Sequence, residues 1–228
     1  QYTIDFQMVR DNASQVASGN YSTIVGGSNN SAIGNYSTSM GTQTTASGTY
    51  STAMGVYTTA SDDASTAIGC GSIASGTYST SMGEYTTASG DVSLAMGSLT
   101  IASGTYSTAM GGNTTASGIY STAIGSYNIA SGYCSIALGE YTTAPSAYET
   151  VLGRFNTTYS PARTNDWDNY DRLFVVGNGT ADESRSNALT ILKNGNTTIN
   201  GAVQVGYTEY NTNGDLSGLI SYSIIKYS

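Results

Sequence analysis

The 228-residue chain has no histidine, two prolines, two cysteines and, between Ala17 and Ser146, not one lysine or arginine. Each absence excludes something. Without histidine, Ser-His-Asp and Cys-His nucleophile systems and histidine-based metal sites cannot be built, which removes most hydrolase chemistry. The net charge is −8, and Asp62, Asp63, Glu84, Asp91 and Glu140 all lie in the stretch without basic residues. A phosphate backbone or an anionic lipid surface would be repelled there, so nucleic acid is not expected as a partner. No run approaches the roughly 20 consecutive apolar residues of a membrane helix, so membrane insertion by this chain is not expected either. Charged residues amount to 10%, against about 25% ordinarily. The 28 glycines and 19 tyrosines point instead to repetition. The first residue, Gln1, is what a secreted product shows after removal of its signal, and an extracellular or cell-surface address is expected.

A period of 14 runs through the chain. Ala-Ser-Gly or a close variant begins at Ala46, Ala60, Ala74, Ala88, Ala102, Ala116 and Ala130, and the series closes at Ala144-Pro145. Locked to it are Met54-Gly55, Ile68-Gly69, Met82-Gly83, Met96-Gly97, Met110-Gly111, Ile124-Gly125, Leu138-Gly139 and Leu152-Gly153. Backward, the pattern holds through Met40-Gly41 and Ala32, slips by one residue near Gly27, where a bulge is expected, and resumes at Ala17. The two halves of a unit are alike, Tyr50-Ser-Thr-Ala-Met-Gly and Tyr57-Thr-Thr-Ala-Ser, so each half reads as a five-residue strand and a two-residue turn. This predicts an all-β solenoid, a flat β-roll of 14-residue coils stacked over about 40 Å.

Alternation puts Ser51, Ala53, Thr58 and Ala60 on one side of their strands, small enough for the interior of a flat roll. On the outside, the first half of each coil repeats Met, Ile or Leu, whereas the second half puts Ser there (Ser47, Ser61, Ser75, Ser89, Ser103, Ser117, Ser131). A file of Met40, Met54, Ile68, Met82, Met96, Met110, Ile124, Leu138 and Leu152 is an apolar patch that a soluble monomer rarely leaves open. These nine residues are the predicted oligomer interface, with another copy of the chain as the simplest partner. The alternative is that they fill the roll and the alanines face out.

The motif Ser-x-Ala-x-Gly-x-x, as in Ser51-Thr-Ala53-Met-Gly55-Val-Tyr57, resembles the head repeat of YadA-like trimeric autotransporter adhesins over about Ala17 to Gly153. The resemblance implies a left-handed parallel β-roll, three of which pack about an axis through the apolar file, and a homotrimer. Thr52, Thr66 and Thr80 stand where the family often has Val, and the family's coiled-coil stalk and membrane barrel have no counterpart in this sequence. Cys70, read as a turn residue, and Cys134, read as a ladder position, lie over four coils apart, too far for a bridge.

The domain reading is an N-terminal strand or extension over 1–16, the β-roll over 17–155, a connector over 156–170 and a C-terminal β-rich module over 171–228. In that module Asp171-Arg-Leu-Phe-Val-Val-Gly-Asn-Gly-Thr180 and Arg185 to Gly195 alternate β-rich runs with Asn-Gly turns, a hairpin-like pattern. Both runs resemble a segment of bacterial surface fibres and phage tail fibres that often precedes a self-cleaving trimerisation chaperone. Residues Tyr2 to Met8 and Leu219 to Tyr227 are strand-like, so head-to-tail strand exchange into a filament is an alternative to docking of each terminus on its own subunit.

Candidate chemistry is sparse. Asp62-Asp63 reads as a solvated turn, not an acid/base pair, and the Asp166, Asp168, Asp171 run has oxygen ligands for calcium without the glycine and terminal glutamate of an EF-hand loop. The glycine-rich repeats are followed by no lysine, so a phosphate loop fails. No catalytic residue, cofactor or metal is assigned, and no enzyme is expected. Asn12, Asn20, Asn29, Asn35, Asn113, Asn156, Asn178 and Asn196 begin Asn-x-Ser/Thr sequons, candidate glycosylation sites in an extracellular protein. The expected function is an adhesive or structural surface fibre, a multivalent trimer contacting host, matrix or glycan surfaces. The alternatives are a polymerised extracellular filament, a viral or phage fibre shaft, and an ice-binding protein using Thr45, Thr59, Thr87, Thr115 and Thr143, a file interrupted by Ile73, Ile101 and Ile129.

Overall fold

A computed structural model describes residues 2–203. The expectations for Leu219 to Tyr227, and for the end of the 171–228 module, lie outside the described residues. Each 14-residue coil contributes one strand to each of two sheets. In the coil that begins at Tyr50, the first strand is Thr52–Val56 and the second is Thr59–Ala60. Equivalent residues of successive coils pair in parallel without slippage, Ala53 with Ala67, Met54 with Ile68, Gly55 with Gly69, and Ala60 with Ala74. Among the described residues the first strands belong to a 14-stranded sheet in sequential order, and the second strands form a nine-stranded sheet behind it. The chain is thus a parallel β-solenoid, as the period predicts.

The sheets lie so close that only small side chains fit between them. Ala53, Ala60 and their equivalents have no exposure, and Ser51 and Thr58 are as fully buried. The strand limits differ from the sequence expectation. Tyr50 and Tyr57 do not start strands: both are corner residues in the left-handed region, with φ of 60° and 56°. The second strand is consequently two residues long rather than five, because it is bounded by a corner on one side and the turn at Asp62 and Asp63 on the other. Gly55, expected in a turn, lies inside its strand at φ 125°, where an added Cβ would sit 2.0 Å from the Gly69 carbonyl oxygen of the next coil. The repeat needs glycine for that close approach. Cys70 likewise ends a strand, Thr66–Cys70, instead of lying in a turn.

At the N-terminal end, the slip near Gly27 is a bulge between Ile24 and Gly27 in the strand Thr23–Ser28. Ile4–Asp5 pairs in parallel with that strand. Gln7 closes the open end, accepting from the Asn30 N–H at 2.8 Å and donating to the Asn30 carbonyl at 3.2 Å. At the other end, the connector returns the chain to the same sheet. Arg172–Asn178 stacks in parallel on Thr150–Arg154, with Val175 on Val151, Val176 on Leu152 and Gly177 on Gly153. Asn187–Leu192 and Thr197–Ile199 then add antiparallel, as the hairpin-like pattern predicts. Among the described residues no helix is long and apolar enough to cross a membrane.

Candidate functional site

The long sheet carries the apolar file on its outer face. Met40, Met54, Ile68, Met82, Met96, Met110, Ile124, Leu138 and Leu152 stand one above another, each paired in register with the next. Most are half-buried by their neighbours in the file, while Met82 and Ile124 are 36% and 39% exposed. The alternative arrangement, with these side chains inside the roll, is excluded by the complete burial of Ala53, Ala67 and their equivalents. The file also has a tenth member, Val176, which sequence reading missed. Its signal was the Val-Gly pair at 176 and 177, hidden because the connector breaks the period. On the outer face of the short sheet the file runs Thr45, Thr59, Ile73, Thr87, Ile101, Thr115, Ile129 and Thr143, with Thr and Ile alternating from Thr59 onward.

The corners carry aromatic ladders. Tyr21, Tyr36 and Tyr50 stack face to face with centroids 5.1 and 4.9 Å apart, as do Tyr106 and Tyr120 at 4.9 Å. On the opposite edge Tyr127, Tyr141 and Phe155 stack at 4.5 and 4.6 Å. Offset stacks of this kind add about 0.5–1.5 kcal/mol per pair beyond their area, which offsets the cost of holding a bulky residue at positive φ.

One titratable group enters the interior. Glu149 occupies the file held by Ser121 and Ser135 in the preceding coils and is fully buried. Its Oε2 accepts the Ser146 N–H at 3.0 Å and the Tyr159 hydroxyl at 3.4 Å, while Oε1 has no partner within the protein. Burial pushes its carboxyl up to about 7, opposed by the Ser146 N–H and by the charge of Arg172. Tyr159, pushed up to about 12 by burial and then by Glu149, lies under the Arg172 guanidinium, 4.1 Å from ring centroid to Cζ. Arg172 also donates to the Thr157 carbonyl and hydroxyl at 2.6 and 2.8 Å. The cluster ties the connector and the strand from Arg172 onto the last coil. With no exposure, Glu149 cannot meet a substrate, so its role is in the junction. Sequence reading passed over it, although its register, 14 residues after Ser135, marks a carboxylate in a file of hydroxyls.

The remaining candidates are dispersed. Asp63 is exposed and accepts the Thr49 N–H. Asp166 and Asp168 accept the N–H groups of Trp167 and Tyr170, and Asp171 accepts those of Ala162 and Arg163. Among the described residues no group of three Cys, Asp or Glu could hold a metal ion. Cys70 and Cys134 are free thiols. Of the sequons, Asn12, Asn20, Asn35, Asn113, Asn178 and Asn196 are exposed and Asn29 is half-buried. Asn156 is corrected: it is fully buried, and its amide donates to the Thr143 and Thr157 carbonyls, so it is closed to modification in the folded chain.

The YadA head domain repeat, in the form of two copies, matches residues 32–58, 46–72, 74–100 and 102–128, together less than half of the chain. No curated protein matches the chain. Repeats and a solenoid of this kind are typical of structural adhesin proteins rather than enzymes, and the 14-residue coils between residues 32 and 128 are similar in sequence to YadA head repeats.

Proposed function

We propose that this chain is an extracellular adhesive or structural surface protein that assembles around its apolar file as a homotrimer and attaches to host, matrix or glycan surfaces through many weak contacts. The observation that carries the reading is the uninterrupted file from Met40 to Leu152, continued by Val176. An apolar stripe running the length of a rod is a surface that soluble monomers rarely leave open, and closed symmetry satisfies it with identical patches. The similarity of residues 32–128 to YadA head repeats favours three chains over two. Display of the same corners and files on each chain multiplies weak contacts into avidity.

Absolute mass by light scattering at low micromolar concentration tests this. A discrete species near three times 23.5 kDa is expected. A clean 23.5 kDa monomer would overturn the assembly, and very large polydisperse species would replace it with a head-to-tail filament.

A further inference from the structure

The first tyrosine ladder is interrupted, and its interruptions are not alike. The corner file runs Tyr21, Tyr36, Tyr50, Ala64, Tyr78, Val92, Tyr106, Tyr120, Cys134, Tyr148, all at positive φ. At Cys134 the missing ring is replaced by the residue before it: Tyr133 inserts edge-on between Tyr120 and Tyr148, at 5.8 and 5.5 Å. In the second ladder, the missing ring at Gly71 is covered by Tyr85, whose ring lies 2.6 Å from where a Cβ on Gly71 would be. At Val92 a branched apolar side chain stands in the file, and at Ala64 no ring of the described residues takes the place. Tyr50 and Tyr78, on either side, are 63% and 66% exposed, against 49–50% for Tyr36, Tyr106 and Tyr120; Tyr50 stacks on Tyr36 alone, and Tyr78 stands between Ala64 and Val92.

The residue that corresponds to Tyr133 at this gap is Asp63. Its carboxylate is held in place by the Thr49 N–H at 3.0 Å, one residue from Tyr50, while the Ala64 N–H donates to the Thr49 carbonyl at 2.7 Å, so the coil stack continues unbroken beneath the gap. Among the described residues Asp63 has no ion-pair partner. The neighbouring coils supply no cation, since no lysine or arginine occurs between Ala17 and Ser146. Two coil steps separate the flanking tyrosines, about 10 Å, which leaves room for one flat group between them.

We propose that the gap at Ala64 is a binding slot for an arginine side chain of a partner polypeptide, its guanidinium sandwiched between Tyr50 and Tyr78 and its edge directed at the Asp63 carboxylate. A guanidinium is the common side-chain group that is flat, cationic and able to offer paired N–H donors along one edge, so it meets two ring faces and a carboxylate at once. A lysine ammonium meets only the charge. The same protein uses this contact elsewhere: Arg154 and Arg185 lie over Phe155, the last ring of the second ladder, at 5.3 and 5.6 Å. The slot deepens the adhesive reading by naming what one attachment point recognises, and it is built wholly within a single chain.

Ligand-observed NMR titration of the whole chain with acetyl-Gly-Arg-Gly-amide, beside its lysine and citrulline counterparts, tests the slot. The arginine peptide is expected to bind at least about threefold more tightly than the lysine peptide, and the uncharged citrulline peptide at least about tenfold more weakly than arginine. Ala64→Tyr completes the ladder without changing any charge, and Asp63→Asn removes the charge without filling the gap. Each is expected to weaken arginine binding about tenfold. Equal binding of the lysine and arginine peptides, or arginine binding unchanged by Ala64→Tyr, would overturn the slot in favour of diffuse attraction to an acidic surface. The mass of each sample, taken in parallel, separates the two readings: a monomer that still selects arginine removes the assembly and keeps the slot, and a trimer that does not removes the slot alone.

Discussion

Tyr50, Tyr57, Val92, Leu99 and fourteen further corner residues from Tyr21 to Phe155 that are neither glycine nor in an ordinary backbone region share φ values of 41–60° with Asn113. A left-handed conformation costs an ordinary L-residue about 1–2 kcal/mol, and a β-branched side chain is the least suited to it. Asparagine tolerates it, and Asn29 and Asn113 already occupy left-handed corners on the opposite edge. Val92→Asn is therefore expected to stabilise the chain by about 1 kcal/mol, read as a rise in the midpoint of chemical denaturation. The opposite holds at Gly97, where φ is 120° and an added Cβ would lie 2.0 Å from the Gly111 carbonyl oxygen. Gly97→Ala forces two coils apart in mid-stack and is expected to cost about 3 kcal/mol or more, visible as a lowered midpoint or loss of the β signal in circular dichroism.

The junction between the last coil and the strand from Arg172 has its own pH dependence. Glu149 titrates at about 7 in the fold against an ordinary value of 4.5, so the folded junction binds the proton more tightly than the unfolded chain does. Its stability is greatest below pH 4.5 and falls as pH rises through about 7, a difference of about 3 kcal/mol. Trp167, the only tryptophan, lies tilted against Tyr148 at 6.2 Å and 5.5 Å from the Lys193 ammonium, so its fluorescence reports on this end of the molecule. Denaturation followed at Trp167 is expected to show the fall between pH 4.5 and 7, and Glu149→Gln to flatten it; an unchanged profile in that variant would place the titration elsewhere. Much of the roll was legible in advance, because the interior positions of Ser51, Ala53, Thr58 and Ala60 follow from their size and alternation. The strand limits were not. Corners are usually marked by glycine or asparagine, whereas here tyrosines take them and the regular spacing of glycine marks a close approach inside the strand instead. The slot at Ala64 was hidden for a related reason: it is defined by a ring that is missing, and only the stacking of its neighbours shows that one belongs there.

For the whole molecule, the 14 strands of the long sheet make a rod on the order of 60 Å from strand spacing alone, with one face apolar from Met40 to Val176. Met96→Asp places a charge in the middle of that face, and a buried unpaired charge is strongly unfavourable. In the proposed assembly it is expected to reduce the mass to a single chain while the β signal is retained, and Thr87→Asp on the opposite sheet to leave the mass unchanged. A mass unaffected by Met96→Asp would remove the apolar file as the contact. The alternating file on the short sheet has a different consequence. Thr59, Ile73, Thr87, Ile101, Thr115, Ile129 and Thr143 repeat every 28 residues, twice the length of a coil. A tandem duplication or deletion of one coil would leave the backbone stack intact yet set two like rungs side by side, whereas a change of two coils would leave no seam. Between Thr59 and Thr143 a change of two coils therefore alters the length of the stack while the rhythm of this one file is kept.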